Sequence, residues 1–192
     1  MYKHFFKRFI ACLLSITGLI VFAIPMVIIA IAIKLDSKGP VFFRQERLGK
    51  GQKPFKIFKF RTMCDHAYEI GGIANRSDDP RITKVGAFLR RTSLDEIPQI
   101  FNVLAGQMSI IGPRAGDVES RDTYEEDEKD KLLVRPGITG FTQAYYRNGL
   151  GVREKRLYDA WYAHTVSFPL DVKIFLRTIK TVLMHENIYT ND

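Results

Sequence analysis

The chain has 192 residues, enough for one domain with a hydrophobic core, and its two cysteines are too few for a disulfide framework. Its net charge of +8 is unevenly distributed, because residues 1–64 carry 12 Lys and Arg against 2 acidic residues, whereas residues 65–192 carry 17 against 19. Since the basic residues flank an apolar segment and do not cover the rest of the chain, they argue against a nucleic-acid partner and favour an anionic membrane surface.

The first predicted element is an apolar helix from Phe9 to Ile33, whose 25 residues contain no charge and span ~37 Å, enough to cross a bilayer. A transmembrane helix is one interpretation. Basic residues on both sides and Pro25 inside the run favour a second, a re-entrant helix that enters and leaves by the same face, with both ends cytoplasmic. The third is a signal peptide cleaved after Ala32, which would make the protein secreted, although the run is longer than such signals.

The next segment, residues 40–63, predicts a β-hairpin. Its apolar and polar residues alternate in two strands that are joined by a Gly-rich turn at residues 48–51. In the second strand, Lys59 and Arg61 are two residues apart and therefore project from the same face. This face is either solvated or part of a binding site.

The segment TSLDEIPQ, residues 92–99, predicts the start of a helix. Ser93 and Glu96 have the spacing of a capping box, and the proline that follows suits a first helical turn, in which backbone N–H groups lack intrahelical partners. An apolar stripe at helical spacing comes next. The adjacent carboxylates of Asp95 and Glu96 are therefore explained either by capping or by chemistry, and this segment alone does not decide between the two.

Two later segments predict surface elements. Residues 118–131 form an acidic run that we interpret as a solvated helix or loop. Residues 172–183 place five apolar side chains at helical spacing, with Lys173, Arg177 and Lys180 on another face. Such a helix either packs on the core or lies at a membrane interface. Since no linker divides the chain, we expect a single unit over residues 1–192.

Four short stretches supply basic side chains that could surround the acidic pair. They are KFRTM (59–63), the segment from RRTSLDE to IIGPR (90–114), RPGITG (135–140) and YRN (146–148). Several guanidinium groups around one acidic pair suit a diphosphate, because each can donate two parallel hydrogen bonds to phosphate oxygens. The candidate substrate-binding residues in these stretches are Lys59, Arg61, Arg90, Arg91, Arg114, Arg135, Arg147 and Asn148.

These motifs, in this order and spacing, resemble the monotopic phosphoglycosyl transferases, the bacterial sugar transferases that begin lipid-linked glycan assembly. The resemblance is carried by SLDEIPQIFNVLAGQMSIIGPR and RPGITG and extends over almost the whole chain, as in the small members of the family. It implies a mainly helical α+β monotopic membrane protein with a re-entrant helix (1–34), a cytosolic catalytic part (35–192), interfacial amphipathic helices and a small β-hairpin. It also implies the cytoplasmic face of the bacterial inner membrane as the location.

The resemblance implies roles for individual residues as well. Asp95 corresponds to a nucleophile and Glu96 to a ligand of Mg²⁺, for which Mn²⁺ could substitute. Arg90 and Arg114 match positions associated with phosphate binding, and Asp171 in LDVKI matches a further acidic position near the site. The implied break of the re-entrant helix falls near Pro25 in the apolar segment.

The reaction that the resemblance implies has two steps. A UDP-sugar would donate a phosphosugar to Asp95 with release of UMP, and a polyprenyl phosphate, such as undecaprenyl phosphate, would then accept it from the surrounding phospholipid membrane. A carboxylate attacks phosphorus only when the repulsion between the two anions is removed, which a divalent cation and arginines can do. Departures from the family motif, such as GFTQAYYRN at 140–148, leave the sugar undetermined, and the sequence leaves open whether a homodimer forms.

Overall fold

The computed structural model describes residues 1–67, 79–147 and 149–184. The helices are α1 (Lys7–Asp36), α2 (Lys84–Thr92), α3 (Gln99–Leu104), α4 (Phe141–Tyr145), α5 (Val152–Thr165) and α6 (Phe168–Leu183). The strands are β1 (Phe42–Leu48), β2 (Pro54–Phe60), β3 (Ser109–Ile111), β4 (Gly116–Asp117) and β5 (Gly137–Thr139). This mixture of many helices with little sheet is consistent with the predicted α+β class.

The predicted hairpin is present and consists of the antiparallel strands β1 and β2, with Phe42 opposite Phe60. Its turn lies slightly later than predicted, at Lys50–Gln52, because Gly51 supplies the left-handed backbone conformation (φ 64°) that closes it. The short strand β4 adds to the free edge of β1, and β3 and β5 form a separate parallel pair. The hairpin ends at Lys59 and Phe60, close to the acidic pair.

The apolar N-terminal segment forms one long helix, α1, that continues through Pro25. The break implied near this proline is therefore wrong as a description of the backbone, since a proline removes one helical hydrogen bond and need not end a helix of 30 residues. Among the described residues, α1 is the helix that is long and apolar enough to cross a membrane. Many of its apolar side chains are exposed, with Ile20 and Ile24 each at 73%.

One side of α1 nevertheless packs on the rest of the protein along its length. Near its start, Ala11 belongs to a buried cluster with Val103, and near its end, Ile33 belongs to another with Leu89. Between them, α1 packs closely on α3 at Gly18. A Cβ atom at this position would lie only 3.2 Å from the side chain of Ile100. The helix therefore lies along the folded part and does not project away from it.

Polar contacts fix both ends of α1 to this same folded part. At the start, Tyr2 Oη donates to Asp171 Oδ2 at 2.6 Å, and Lys7 pairs with the same carboxylate. At the end, Asp36 Oδ2 accepts the backbone N–H of Val85 at 2.9 Å, and Arg61 donates to the carbonyl oxygen of Ser37, also at 2.9 Å. Both ends of the apolar helix are therefore bound to one folded body.

The acidic run at 118–131 differs from the prediction of a solvated segment. It forms two 3₁₀ turns, Val118–Thr123 and Lys129–Leu133. Glu128 is 2% exposed and pairs with Arg156 at 3.0 Å, and Lys131 pairs with the buried Asp159 at 3.1 Å. The solvated interpretation is wrong at these two positions, because their charges are neutralised by partners far away in the sequence.

The last helix, α6, exposes the apolar stripe that the sequence indicates. Its buried side is formed by Asp171, Ile174 and Thr181, whereas Leu176 is 60% exposed and Leu183 is 74% exposed. Of the two interpretations, packing of this stripe on the core is wrong. The exposed stripe and the basic residues beside it are typical of a helix at a membrane interface.

Candidate active site

The acidic pair lies in a tight turn between α2 and α3. The chain leaves α2 at Ser93, whose backbone is left-handed (φ 59°, ψ 18°), and Leu94–Glu96 then forms a 3₁₀ turn. The predicted capping box is wrong, because Ser93 ends the preceding helix and makes no capping hydrogen bond with its side chain. Its Oγ instead accepts a hydrogen bond from Arg147 Nη2 at 2.9 Å.

Glu96 is held by two cations from distant segments. Lys59 Nζ at the end of β2 lies 2.6 Å from Glu96 Oε1, and Arg114 Nη1 after β3 lies 3.4 Å from the same oxygen. Burial disfavours the charged carboxylate, but these two cations outweigh burial and lower the pKa of Glu96 to about 2. Glu96 is therefore a permanent anion at neutral pH.

Asp95 has a different environment from its neighbour. No hydrogen bond or ion pair engages its carboxylate within the described parts of the chain. Burial raises the pKa of Asp95 to about 6, opposed by the positive charge of Lys59 and supported by the negative charge of Glu96. Two adjacent carboxylates thus have pKa values shifted in opposite directions, a pattern typical of carboxylates with separate catalytic roles.

Arg90 reaches the site from the last turn of α2. Its Nε donates to Thr62 Oγ1 at 2.9 Å, which fixes the guanidinium beside the acidic turn. Helix α2 can approach this strand end only because residue 86 is glycine, since a Cβ there would lie 2.0 Å from the carbonyl oxygen of Thr62. Arg147 reaches the site from the other side, where its own left-handed backbone (φ 47°) and its hydrogen bond to Ser93 place it.

These residues line one cavity of about 1440 Å³, large enough for a nucleotide-sugar and part of a second substrate. Its polar part contains Lys59, Arg90, Arg114 and Arg147 around the acidic pair. A second, mainly apolar part lies between α1 and α6; its lining residues include Leu14, Gly18, Val21, Phe22, Ile100, Phe175 and Val182. The cavity therefore connects the acidic pair with the middle of the apolar helix.

Several predicted site residues have other contacts. Arg61 lines the cavity, but its guanidinium binds the carbonyl oxygens of Ser37 and Lys38 at the end of α1. Arg91 is exposed on α2 outside the cavity lining. The substrate-binding roles of Arg61 and Arg91 stay predictions.

Two further predicted residues lie away from the acidic pair, and one is not described. Arg135 Nε donates to the carbonyl oxygen of Gly106 at 2.8 Å, outside the cavity. Asp171 is buried and accepts hydrogen bonds from Tyr2 and Tyr162, so its carboxylate anchors the N-terminus and does not line the cavity. The roles implied for these two residues in substrate binding stay predictions. Asn148 lies outside the described residues.

One residue that supports the site, Asp159 on α5, was not predicted from the sequence. This aspartate is 2% exposed, and its carboxylate accepts the backbone N–H of Arg114 and the hydroxyl of Thr142. Together with Lys131, it fixes the turn that carries Arg114. The available signal was a single acid among the small and aromatic residues of YDAWYA, which a search for clustered charges overlooks.

The acidic turn fits a magnesium ion that is shared with a diphosphate. Mg²⁺ is usually bound by one or two carboxylates, with substrate phosphates and water as its other ligands. The recorded contacts of Glu96 all use Oε1, and the carboxylate of Asp95 is adjacent. No group of three or more His, Cys, Asp or Glu is close enough to hold a metal in residues 1–67, 79–147 and 149–184. Magnesium binding by Glu96 stays a prediction.

The chain is similar to known bacterial proteins over most of its length. The family model described as bacterial sugar transferase matches residues 2–185. The UDP-glucose:undecaprenyl-phosphate glucose-1-phosphate transferase of Klebsiella pneumoniae is 42% identical over 192 residues, covering 96% of this chain and 41% of that protein. The UDP-N-acetylgalactosamine-undecaprenyl-phosphate N-acetylgalactosaminephosphotransferase of Aeromonas hydrophila is 37% identical over 188 residues, covering 93% of this chain and 44% of that protein.

A shorter relative matches over nearly its full length. The exopolysaccharide production protein PSS of Rhizobium leguminosarum bv. phaseoli is 38% identical over 189 residues, covering 92% of this chain and 94% of that protein. The chain therefore spans less than half the length of the Klebsiella and Aeromonas proteins and almost all of the Rhizobium protein.

Proposed function

Because this chain belongs to the bacterial sugar transferase family, we propose that it transfers a phosphosugar from a UDP-sugar to a polyprenyl phosphate. The products are a polyprenyl-diphospho-sugar and UMP, and the step begins the membrane stage of polysaccharide or glycoconjugate synthesis. The names of the Klebsiella and Aeromonas relatives, which specify UDP-sugars and undecaprenyl phosphate, support these substrate classes.

The observation that carries the proposal is the difference between the two adjacent carboxylates. Glu96 is neutralised by Lys59 and Arg114, whereas Asp95 has no partner among the described residues and faces the same cavity. An unpaired carboxylate in a basic cavity is suited to attack a phosphorus atom, because the surrounding cations reduce repulsion between the two anions.

In the first step, a carboxylate oxygen of Asp95 attacks the β-phosphorus of the UDP-sugar. The bond from this phosphorus to the bridging oxygen breaks, and UMP leaves with the electron pair. Arg90, Arg114 and Arg147 are placed to bind the phosphate oxygens and stabilise the charge that develops on them. Mg²⁺, when bound beside Glu96 and the diphosphate, would supply further charge neutralisation.

In the second step, an oxygen of the polyprenyl phosphate attacks the same phosphorus, and the bond to Asp95 breaks. The carboxylate is thereby regenerated. The apolar part of the cavity, between α1 and α6, suits the first isoprene units of the acceptor, because it connects the membrane-facing helix with Asp95. The acceptor can therefore enter laterally from the bilayer while its phosphate reaches the polar part.

The contacts at both ends of α1 support a monotopic arrangement at one face of a bacterial inner membrane, with the catalytic part in the cytoplasm. A helix that spanned the bilayer would carry one of its ends away from the cytoplasmic body, whereas Lys7 and Asp36, at opposite ends of α1, are both bound to that body. Cysteines introduced at Lys3 and Lys38 should react with an impermeant reagent from the same face. Reaction from opposite faces would contradict this arrangement.

The covalent step provides the test of the proposed function. Purified protein given a UDP-sugar and Mg²⁺ without lipid acceptor should release about one UMP per active site, and its intact mass should increase by one phosphosugar. Polyprenyl phosphate should then discharge the adduct. Asp95→Asn should form no adduct, whereas the exposed Asp127→Asn should form it normally. Normal UMP release by Asp95→Asn, with deamidation excluded by mass, would contradict the assignment of the nucleophile.

A further inference from the structure

A second, smaller cleft lies where the start of α1 meets the folded part, and basic residues dominate its lining. It has a volume of about 50 Å³. The cations come from three separate segments of the chain: Lys3, Lys7 and Arg8 at the N-terminus, Lys50 in the hairpin turn, and Arg135 of RPGITG. Acidic side chains are absent from the described residues that line it.

Most of these cations have no counter-charge in the described protein. Lys7 pairs with Asp171, but the others use backbone carbonyl oxygens, which position a cation without neutralising it. Lys3 Nζ donates to Ala163 at 2.8 Å, Arg8 Nη2 to Leu104 at 3.0 Å and Arg135 Nε to Gly106 at 2.8 Å. Lys50 is exposed on the tip of the hairpin. The cleft is therefore an organised site of positive charge.

Apolar side chains are exposed on the segments that form this cleft. Phe5 is 65% exposed and Phe9 is 59% exposed on the same N-terminal turns that supply Lys3 and Arg8, and Leu133 in the cleft lining is 49% exposed. Basic residues next to exposed aromatic and aliphatic side chains are typical of the boundary between lipid headgroups and acyl chains.

We propose that this cleft binds the phosphate of an anionic phospholipid, with the acyl chains lying along the exposed apolar side of the N-terminal turns and α1. Its volume is close to that of two liquid water molecules of about 30 Å³ each, which suits one phosphate group. The site explains why Arg135 lies away from the acidic pair. It is independent of the proposed reaction, since it uses none of the residues assigned to catalysis.

The bound lipid would connect three parts of the protein. Its phosphate contacts the N-terminal turns, the hairpin tip at Lys50 and the turn that carries Arg135 at the same time. Each of these contacts replaces repulsion between cations with attraction to a shared anion. Occupancy should therefore strengthen the packing of the N-terminal end of α1 on the folded part.

The test compares lipid retention by the full chain in nanodiscs of phosphatidylcholine, with and without phosphatidylglycerol. Native mass spectrometry should detect about one tightly held phosphatidylglycerol per chain, and this lipid should raise the melting temperature. The double variant Lys50→Gln/Arg135→Gln should bind it about 10- to 30-fold more weakly. Each variant is compared with itself in the two lipid mixtures, so that any loss of intrinsic stability does not affect the result.

The control variant is Lys173→Gln/Lys180→Gln, which removes two exposed charges from the basic face of α6. It should retain the tightly held phosphatidylglycerol and the rise in melting temperature. Equal losses in the two double variants would overturn the site, because they would indicate diffuse attraction to an anionic surface. Displacement of the lipid by inorganic phosphate would also overturn it, since the ligand would then be the free ion.

Discussion

Replacing Asp95 should make the protein more stable. Asp95 is a partly buried carboxylate whose pKa is raised to about 6, with burial as the main cause, although the charge of Lys59 opposes the rise. An unperturbed aspartate has a pKa of about 3.9. The folded protein therefore binds this proton more tightly than the unfolded chain does, and its stability falls as the pH rises from about 4 through about 6.

The magnitude follows from the difference between the two pKa values. At about 1.36 kcal/mol per pH unit, the ionised Asp95 lowers the free energy of unfolding by at most about 3 kcal/mol at pH 8. Asp95→Asn removes this cost while keeping a side chain of the same shape, so we expect a gain of about 1–3 kcal/mol. For a chain of this size, the melting temperature should rise by about 2–10 °C. The gain should roughly halve at pH 5, where the native aspartate is mostly protonated.

The assay is thermal unfolding in nanodiscs, followed by the fluorescence of the single tryptophan, Trp161, at several values between pH 5 and pH 8. The control is Asp127→Asn, which removes a carboxylate that is 53% exposed and should shift the melting temperature little. A lower or unchanged melting temperature for Asp95→Asn at pH 8, with the control unchanged, would refute the conclusion that the charged Asp95 destabilises the folded state.

Three other predictions concern the same turn. The rate of adduct formation from UDP-sugar alone should fall as the pH decreases through about 6, because protonation removes the nucleophilic lone pair of Asp95. The lipid acceptor is omitted so that its phosphate does not titrate in the assay. A rate that is constant between pH 5 and pH 8 would contradict the raised pKa of Asp95. Ser93→Gly should preserve or increase stability, since glycine favours a φ of 59°. It should slow turnover, because the hydrogen bond from Arg147 to the Ser93 hydroxyl is lost. Full activity would show that only the backbone conformation of Ser93 matters. Adduct formation should require Mg²⁺ or Mn²⁺, and Glu96→Gln should weaken its dependence on metal concentration; unchanged activity with a chelator would remove Glu96 from this role.

Local patterns in the sequence were sufficient for the apolar helix, the hairpin and the amphipathic helix α6. Each depends on a periodicity of about 3.6 or 2 residues, or on a long uncharged run, which acts within a single segment. Motif spacing also identified Asp95 and Glu96, and it grouped them with Lys59, Arg90 and Arg114, which the structure brings to one cavity. Their roles in binding and catalysis stay predictions.

Tertiary structure alone decided which side chains meet and which faces are covered. Ser93 has the sequence of a helix cap, but the end of α2 and a hydrogen bond from Arg147, 54 residues away, hold it in a left-handed turn.

The same limit applies to the charged residues and to α6. Arg135 and Asp171 belong to family motifs, yet their partners direct them to the base of α1. The period of α6 identifies an apolar stripe without showing whether protein covers it. Local sequence patterns therefore define the segments and the chemistry they carry. Long-range packing assigns the partner of each charge, because such contacts join residues that no local pattern relates.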